Sequence, residues 1–210
     1  MIRVLVIDDH GVVRQGIRQI LAETSDISVG ADASNAEEGL SRARSDQWDA
    51  IVLDLALPDS HGLDVLKQLR REQPQVPILV LSMHPEDQFA LRAIRAGASG
   101  YVTKNGAVNE LVTAIRTVVG GQHYVSPWLA DRLAREAGGD PSKPAHEQLS
   151  DREYQVLMRI AAGRTTKDIA SELCLSPKTV GTYRLRLAKK MALSTEAELT
   201  AYVFRNRLLD

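Results

Sequence analysis

The chain has 210 residues, enough for one large domain or two ordinary ones, and its 44% hydrophobic and 25% charged residues exclude disorder throughout. No apolar stretch is long enough to cross a bilayer, and the first apolar run meets an acidic pair at once, so we expect neither a membrane partner nor a signal peptide. The single cysteine, Cys174, excludes an internal disulfide. It indicates a reducing, cytoplasmic location, and its apolar neighbours predict a packed thiol.

The formal net charge of −1 hides a difference between the two ends of the chain. Residues 1–146 hold 15 Lys and Arg against 19 Asp and Glu, a net of −4, whereas residues 147–210 hold 11 against 8, a net of +3. Such asymmetry is typical of proteins whose basic part binds nucleic acid.

The N-terminal part alternates short apolar strands with amphipathic helical stretches. The predicted strands are Ile2–Ile7, Ile27–Ala31, Ala50–Leu55, Ile78–Ser82 and Gly100–Thr103. Strands that are apolar throughout, rather than alternating, are typical of a sheet covered on both faces. Five of them alternating with five helices predict an α/β fold with a five-stranded doubly wound parallel sheet.

The chain is predicted to divide into two domains joined by a linker. The first domain covers 1–121, the linker 122–148, and the second domain 149–210. The linker contains a short helical patch near Trp128–Arg135, followed by Gly, Pro and Ser at a density typical of a tether, 138–144.

The second domain is predicted to be all-α, with four short helices. Glu153 stands three residues after Ser150, the spacing of a capping box, and Pro177 suits the first position of the third helix. The fourth helix is predicted over Glu196–Leu208. The predicted N-caps of the four helices are Ser150, Thr166, Ser176 and Ser194.

Polar groups stand at the carboxyl ends of four predicted strands. They are Asp8 and Asp9, then Asp54, Ser82 and Lys104. The carboxyl ends of parallel strands form the ligand-binding edge of such a sheet. Three carboxylates beside an ammonium and a hydroxyl would repel and desolvate one another unless a cation and an anion bind there. Any one of the acids could instead be a helix cap, Lys104 a surface lysine and Ser82 a turn residue, but their joint occurrence in strand order favours a site.

The types of residue at these strand ends suit phosphoryl transfer to a carboxylate. Asp9 and Asp54 would bind Mg²⁺, Asp8 would do so directly or through water, and the backbone carbonyl of Ala56 could add a further oxygen. Asp54 would be the phosphoacceptor. Lys104 and Ser82 would bind the phosphate oxygens, stabilising charge in a loose transition state.

These residues together resemble a known family. The matching motifs are Asp8-Asp9-His10, Asp54 with Leu57-Pro58 and Gly62-Leu63, Ser82, and Ala96 to Tyr101 with Lys104. They closely resemble the receiver domain of bacterial two-component response regulators, which has a flavodoxin-like fold. The resemblance implies that Asp54 takes phosphate from a phosphohistidine on a sensor histidine kinase, and that Ser82 and Tyr101 form a switch pair. Asn105 stands where the family often has Pro.

The segment 166–180 has the proportions of a helix-turn-helix, whose second helix enters the DNA major groove. No acid occurs between Glu172 and Glu196, and the helix that follows the turn is predicted to have a packed inner face and a cationic outer one. A solvated basic face without a partner is the alternative interpretation. The predicted contacts with double-stranded promoter DNA are Lys178, Thr179, Thr182, Arg184, Arg186, Lys189 and Lys190.

The second domain is similar to a LuxR-type helix-turn-helix. The similarity rests on Leu149 to Glu153, Val156-Leu157, Gly163, Ile169-Ala170 and Leu175 to Val180. With the receiver in front, the whole chain is similar to the NarL/FixJ family, in the branch of GacA, UvrY and BvgA. Gly181 departs from the frequent pattern, which has a charged residue there, and so removes a possible base-reading side chain.

These observations predict a phosphorylation-controlled DNA-binding transcriptional regulator that forms a homodimer on activation. It would not be an enzyme beyond self-phosphorylation and slow autodephosphorylation at Asp54. One alternative is a constitutive DNA-binding regulator with a receiver-like binding module. Another is a Mg²⁺-dependent phosphatase of the haloacid-dehalogenase type, which has Asp-x-Asp on the first strand, whereas here Asp8 and Asp9 are adjacent. The five histidines lack metal-ligand spacing, so no transition-metal site is expected.

Overall fold

The computed structural model describes residues 1–137, 144–206 and 208–209, and the chain divides into two compact units between residues 138 and 139. Most of the predicted tether, 138–143, lies outside the described residues. Each unit is described below by itself.

The first unit contains a five-stranded parallel sheet with the strand order β2-β1-β3-β4-β5. The strands are β1 Ile2–Ile7, β2 Ile27–Ala33, β3 Ala50–Leu53, β4 Ile78–Ser82 and β5 Gly100–Thr103. This confirms the predicted sheet. β2 is two residues longer than expected because the pairing register shifts at Gly30 of β2, which lets Ala31–Ala33 pair with the end of β1. β3 ends at Leu53, not at Leu55, because the chain turns at Asp54, whose carboxylate accepts the N–H of Ala56.

Helices cover both faces of the sheet. They are α1 Gly11–Ala22, α2 Ala36–Ser45, α3 Gly62–Glu72, α4 Glu86–Arg95, α5 Ala107–Val119 and α6 Pro127–Ala137. One core joins the sheet to α1 and α5, and the other joins it to α2, α3 and α4. The linker helix α6 packs against α4, and its Leu129 is fully buried in the second core. Apolar strands sandwiched in this way leave the strand ends as the place where polar side chains gather.

The second unit is helical, as predicted. A short 3-10 helix, Ala145–Gln148, precedes α7 Asp151–Ala161, α8 Thr166–Glu172, α9 Pro177–Met191 and α10 Glu196–Arg205. α7 packs on α9 and α10, and α8 packs on α9. Within the described residues, no helix combines the length and the apolar character needed to span a membrane.

Two of the predicted N-caps are confirmed and two are wrong by one residue. Ser150 and Ser176 cap α7 and α9, and Ser150 forms a capping box with Glu153. Thr165 and Thr195, not Thr166 and Ser194, cap α8 and α10. The reason is that an acid stands three residues after each actual cap, Asp168 and Glu198 respectively, and completes a reciprocal capping box. α10 also ends earlier than predicted, at Arg205.

The environment predicted for Cys174 is wrong. The residue lies in the turn between α8 and α9 with a left-handed backbone (φ 53°), and its side chain is exposed. A residue just past a helix end in this conformation turns its side chain away from the packed face of that helix. The apolar neighbours Leu173 and Leu175 are more buried than Cys174 itself.

Candidate functional site

The acidic side chains meet at one end of the sheet because the strands that carry them are neighbours. Asp8 follows β1 and Asp54 follows β3, which pairs directly with β1. Ligand atoms of Asp8, Asp9, His10 and Asp54 all lie within 4.8 Å of one another. Asp8 and Asp54 are each 1% exposed. Charged carboxylates are almost never buried this deeply unless a counter-charge accompanies them.

Lys104 supplies that counter-charge from the end of β5. Its Nζ lies 2.6 Å from Oδ2 of Asp54 and 2.8 Å from Oδ2 of Asp8. Burial by itself would lower the pKa of Lys104, but its hydrogen bond to Asp54 and its ion pairs with Asp54 and Asp8 outweigh burial and raise that pKa. The lysine is therefore a fixed positive charge in the site. The backbone N–H of Lys104 donates to the carbonyl of Ser82 at 2.8 Å, and this bond holds the end of β5 beside the end of β4.

The loop after β3 orients Asp54. Oδ1 of Asp54 accepts the N–H of Ala56 at 3.1 Å, so both carboxylate oxygens of Asp54 are held. Gly62, at the start of α3, donates to the carbonyl of Leu55 at 3.2 Å. A Cβ at Gly62 would lie 2.3 Å from the Cα of Leu55, so this return of the chain requires glycine. The backbone carbonyl of Ala56 as a metal ligand stays a prediction.

The side chains of this cluster suit a hard divalent cation. Three carboxylates face one ammonium, which leaves excess negative charge. The buried Oδ1 of Asp9 forms no hydrogen bond within the described residues, and its 2.5 Å approach to Nδ1 of His10 lacks hydrogen-bond geometry. Oxygen-rich sites of this kind bind Mg²⁺.

His10 belongs to the cluster, although spacing among the histidines did not point to it. It stands at the N-cap position of α1, in the turn after the acidic pair, and its N–H donates to Oδ1 of Asp8 at 2.8 Å. Its position directly after the acidic pair was the signal that could have found it. Arg14, one turn into α1, was also missed. It donates to the backbone carbonyl of Asp8 at 2.7 Å and pairs with Asp32 at 2.8 Å.

Ser82 and Tyr101, the predicted switch pair, both contact His84. Ser82 is fully buried, and its Oγ accepts the N–H of His84 at 3.2 Å. The hydroxyl of Tyr101 donates to the carbonyl of His84 at 2.9 Å. Tyr101 is 3% exposed, so its ring already lies inward, and burial raises its pKa above the usual range. The imidazole of His84 stacks on Phe89, 4.4 Å between ring centroids. His84 was missed because nothing in its sequence context marks it.

In the second unit, α9 has the predicted packed and exposed faces. Val180, Leu187 and Met191 are buried, whereas Thr182 and several basic residues are exposed. Among the residues that the structure describes, no hydrogen bond or ion pair engages the exposed side chains Lys178, Arg186 and Lys189. These three bases are available to a phosphate backbone.

Two other predicted DNA contacts have partners within the unit. Arg184 pairs with Glu196 of α10 and donates to Oγ1 of Thr166 at 3.0 Å. Lys190 pairs at 2.6 Å with Glu153, which is only 3% exposed. Contact of Arg184 or Lys190 with DNA stays a prediction, and it would require an exchange of partners.

The remaining residues of this face are Thr179, Gly181 and Leu185. Thr179 is half-buried, and its Oγ1 lies 2.8 Å from Oγ of Ser176. Leu185 was not predicted as part of the face, yet it is 76% exposed. The helical spacing of Lys178, Thr182, Leu185 and Lys189 could have found it.

A receiver-like α/β unit with a buried acid–lysine cluster, followed by a helix-turn-helix unit, defines the class of two-domain signalling regulators that bind DNA. Family models for the response regulator receiver domain and for bacterial regulatory proteins of the luxR family match residues 4–116 and 147–203. The chain belongs to the response regulators of the NarL/FixJ family, in the GacA/UvrY branch. It is thus a DNA-binding transcriptional regulator with a LuxR-type helix-turn-helix.

Relatives match over the full length. The chain is 39% identical to the response regulator GacA of Pseudomonas protegens over 210 residues, covering 100% of this chain and 99% of that protein. It is 35% identical to the response regulator UvrY of Escherichia coli over 211 residues, covering 100% of this chain and 97% of that protein. Both domains and their order are therefore shared with these relatives.

Solved structures have the same fold. RcsB from Salmonella enterica serovar Typhimurium, bound to promoter rprA in the presence of the phosphomimetic BeF3⁻, has a TM-score of 0.72 at 23% identity, covering 97% of this chain and 98% of that chain. A two-component response regulator of the LuxR family from Aurantimonas sp. SI85-9A1 has a TM-score of 0.59 at 37% identity, covering 65% of this chain and 97% of that chain.

Proposed function

We propose that Asp54 accepts a phosphoryl group from a sensor histidine kinase in the presence of Mg²⁺, and that this controls DNA binding by the helix-turn-helix. The observation that carries the proposal is the buried contact of Lys104 with Asp54 at 2.6 Å and with Asp8 at 2.8 Å. A structural ion pair would need one carboxylate per lysine. Here two buried acids share the ammonium and a third lies beside them, which suits a site that binds a cation and a phosphate.

The transfer step uses groups of this chain. An oxygen of Asp54 attacks the phosphorus as the P–N bond of the phosphohistidine breaks, and the electron pair of that bond stays on the donor imidazole. Lys104 and the hydroxyl of Ser82 would bind the equatorial oxygens of the phosphoryl group. Asp8, Asp9 and Asp54, with the carbonyl of Ala56, would hold Mg²⁺, which when bound neutralises charge on the transferred group. Small phosphate donors would serve as well as the kinase, and slow autodephosphorylation would return the site to its starting state.

The contacts of His84 support Ser82 and Tyr101 as the switch. When Ser82 turns its hydroxyl to a phosphate oxygen, the N–H of His84 loses its acceptor, and the loop between β4 and α4 must adjust. Tyr101 would move with the same loop, because its hydroxyl donates to the carbonyl of His84. The surface made by β5 and α4 would repack and so change dimerisation or the exposure of the helix-turn-helix.

The output is proposed to be binding of double-stranded promoter DNA as a homodimer. The RcsB neighbour was solved on a promoter with a phosphomimetic, which supports this output. The exposed bases Lys178, Arg186 and Lys189 would contact phosphates, and Thr179 and Thr182 would lie near base edges. Arg184 and Lys190 would join after exchanging partners. The lone cysteine and the kinase partner together support a cytoplasmic location.

The phosphoacceptor is tested with full-length Asp54→Asn, acetyl phosphate and Mg²⁺, using mass spectrometry to detect the phosphoryl group. We expect the wild type to gain one phosphoryl group and the variant to gain none. Asp59→Asn is the matched control, because Asp59 lies in the same loop but accepts the N–H groups of Ala36 and Glu37 instead. Stable labelling of Asp54→Asn at the wild-type rate would overturn the assignment.

Control of DNA binding is tested by measuring the affinity of the full chain for a duplex selected from a random pool, with and without beryllofluoride. We expect tighter binding with beryllofluoride for the wild type and no change for Asp54→Asn. Equal affinity under both conditions in the wild type would support the constitutive alternative. Catalytic turnover of small phosphate esters would support the phosphatase alternative.

A further inference from the structure

The most exposed large apolar side chain of the second unit lies on the face of α9 proposed for DNA. Leu185 is 76% exposed, compared with 56% for Phe204 on α10. We call Lys178, Thr182, Leu185 and Lys189 the outer stripe, since their spacing of four, three and four residues places them on one side of a helix. The buried residues Val180, Leu187 and Met191 lie on the opposite side.

Exposure alone would not distinguish Leu185, because single apolar side chains are common on protein surfaces. Its position distinguishes it. Leu185 has Thr182 one turn before it, Lys189 one turn after it and Arg186 beside it, so it is an apolar contact within a cationic surface that has no partner inside the described part of the chain.

Gly181 adds a second observation. A Cβ at this position would meet no atom within 4 Å, so the packing of the chain itself does not require glycine there. Glycine is also a poor helix former. A long side chain on a helix leans toward the N-terminus, so Leu185 covers the turn that contains Gly181. The two residues together form a small apolar area without protruding polar side chains, which the edge of a base pair can approach closely.

We infer that Leu185 is a specificity-determining residue that contacts the methyl group of a thymine in the major groove. This inference rests on the proposed function. Leucine has no donor or acceptor, and the thymine C5-methyl is the one apolar feature that base edges present in the major groove. Packing Leu185 against the polar edge of a G·C pair would instead bury donors and acceptors without partners. The protein therefore selects a T·A pair opposite Leu185. The neighbouring lysine and arginine side chains contact the phosphates without regard to sequence.

The test replaces single thymines by deoxyuridine, which removes the methyl group and keeps the hydrogen-bonding edge. Duplexes are first selected from a random pool with the full chain in beryllofluoride, and each thymine of the selected site is then replaced in turn. One position per half-site is expected to weaken wild-type binding about three- to fivefold, the effect of losing one buried methyl group. Leu185→Ala is expected to bind thymine and uracil duplexes equally at that position.

Two variants complete the test. Arg186→Ala, the matched control, should keep the wild-type response to uracil, because it removes a phosphate contact only. Leu185→Lys should change the selected base pair at that position to one with guanine, the usual partner of lysine.

The outcomes separate this inference from the function on which it rests. If no duplex is enriched, both fail. If duplexes are enriched but uracil affects the wild type and Leu185→Ala equally at every position, Leu185 does not contact thymine, and the proposed function stands.

Discussion

The two units use charged residues in opposite ways. In the first unit, Asp8, Asp54 and Lys104 are almost completely buried, and both acids pair with the lysine. In the second unit, Lys178 and Arg186 are exposed and lack partners within the described residues. The first arrangement orients groups for chemistry at one point, and the second keeps charges hydrated until a polyanion displaces the water and ions around them.

This difference has energetic consequences. A buried charge without a partner is strongly unfavourable in free energy. The stability of the first site is therefore sensitive to any change in its charge, such as the addition of a phosphoryl group. Exposed charges contribute little to stability and can be replaced one at a time. The proposed switch therefore lies in the buried cluster, whereas single charges of the exposed surface can be replaced at little cost in stability.

The largest expected effect on stability is that of Lys104→Met, which leaves Asp8 and Asp54 buried without a counter-charge. In Mg²⁺-free buffer we expect the first unit to lose about 3–5 kcal/mol in free energy of unfolding. Tryptophan fluorescence during urea unfolding of the full chain measures this, because both tryptophans, Trp48 and Trp128, lie in the first unit.

Adding Mg²⁺ should restore more stability to Lys104→Met than to the wild type, because a divalent cation can replace the missing positive charge. Arg71→Ala, which removes an exposed charge of the same unit, should change little. A loss in Lys104→Met no larger than in Arg71→Ala would contradict the strong coupling of these charges.

In the second unit, Glu153 resembles the acids of the first cluster, because it is buried and paired with a lysine. Burial tends to raise its pKa, but hydrogen bonds from Lys190 and from the N–H and hydroxyl of Ser150 outweigh burial and lower that pKa. Because the pKa is lower in the folded state, this stabilisation is present above the pKa of the unfolded chain and is lost as the pH falls through the folded pKa. We expect Glu153→Gln to cost about 1–2 kcal/mol at neutral pH.

The cost of Glu153→Gln should shrink as the pH falls below about 4.3, the ordinary pKa of glutamate. Far-ultraviolet circular dichroism of the full chain follows this unit after the tryptophan-detected transition is subtracted. Glu37→Gln, an exposed acid of the first unit, is the control. A cost of Glu153→Gln that does not change with pH would show that shape, not charge, matters at this position.

The capping threonine of α10 gives a smaller effect and a matched pair. Thr195 accepts the N–H of Glu198, whereas no hydrogen bond from the side chain of Ser194 is present in the described residues. Thr195→Ala should destabilise the second unit by about 1 kcal/mol, and Ser194→Ala should be close to neutral. Thermal unfolding followed by circular dichroism compares the two variants, and the reverse order would restore Ser194 as the cap.

The buried cluster could be predicted from sequence because topology alone brings it together. Once apolar strands predict a parallel sheet, residues such as Asp8, Asp54 and Lys104 at the strand ends must share one edge. The capping residues were predicted within one residue, because the capping-box spacing is local and only its register was ambiguous.

The DNA surface was less predictable because its members depend on tertiary contacts. Arg184 and Arg186 have similar sequence contexts, yet only Arg184 lies within reach of Glu196 on α10. Similarly, Lys190 pairs with Glu153 across α7 and α9, whereas the adjacent Lys189 is exposed. Helical spacing within α9 does not identify the acids that Arg184 and Lys190 meet, because those acids stand on other helices. Leu185 was not among the predicted contacts.

The smallest effect on stability, and the sharpest test of the exposed face, is that of Arg186→Ala. Because its guanidinium has no partner within the described residues, we expect the unfolding free energy to stay within about 0.5 kcal/mol of the wild type. The slope of log affinity against log salt for a selected duplex should fall by about one, the value for one lost phosphate contact.

Arg184→Ala is the informative contrast. Its bonds to Glu196 and Thr166 predict a loss of stability, with a fall in slope only if Arg184 exchanges partners on DNA. If Arg186→Ala left the slope unchanged, the outer face of α9 would not be the surface that meets the phosphates, because a free, exposed arginine on that face would have to contribute to the counterion release.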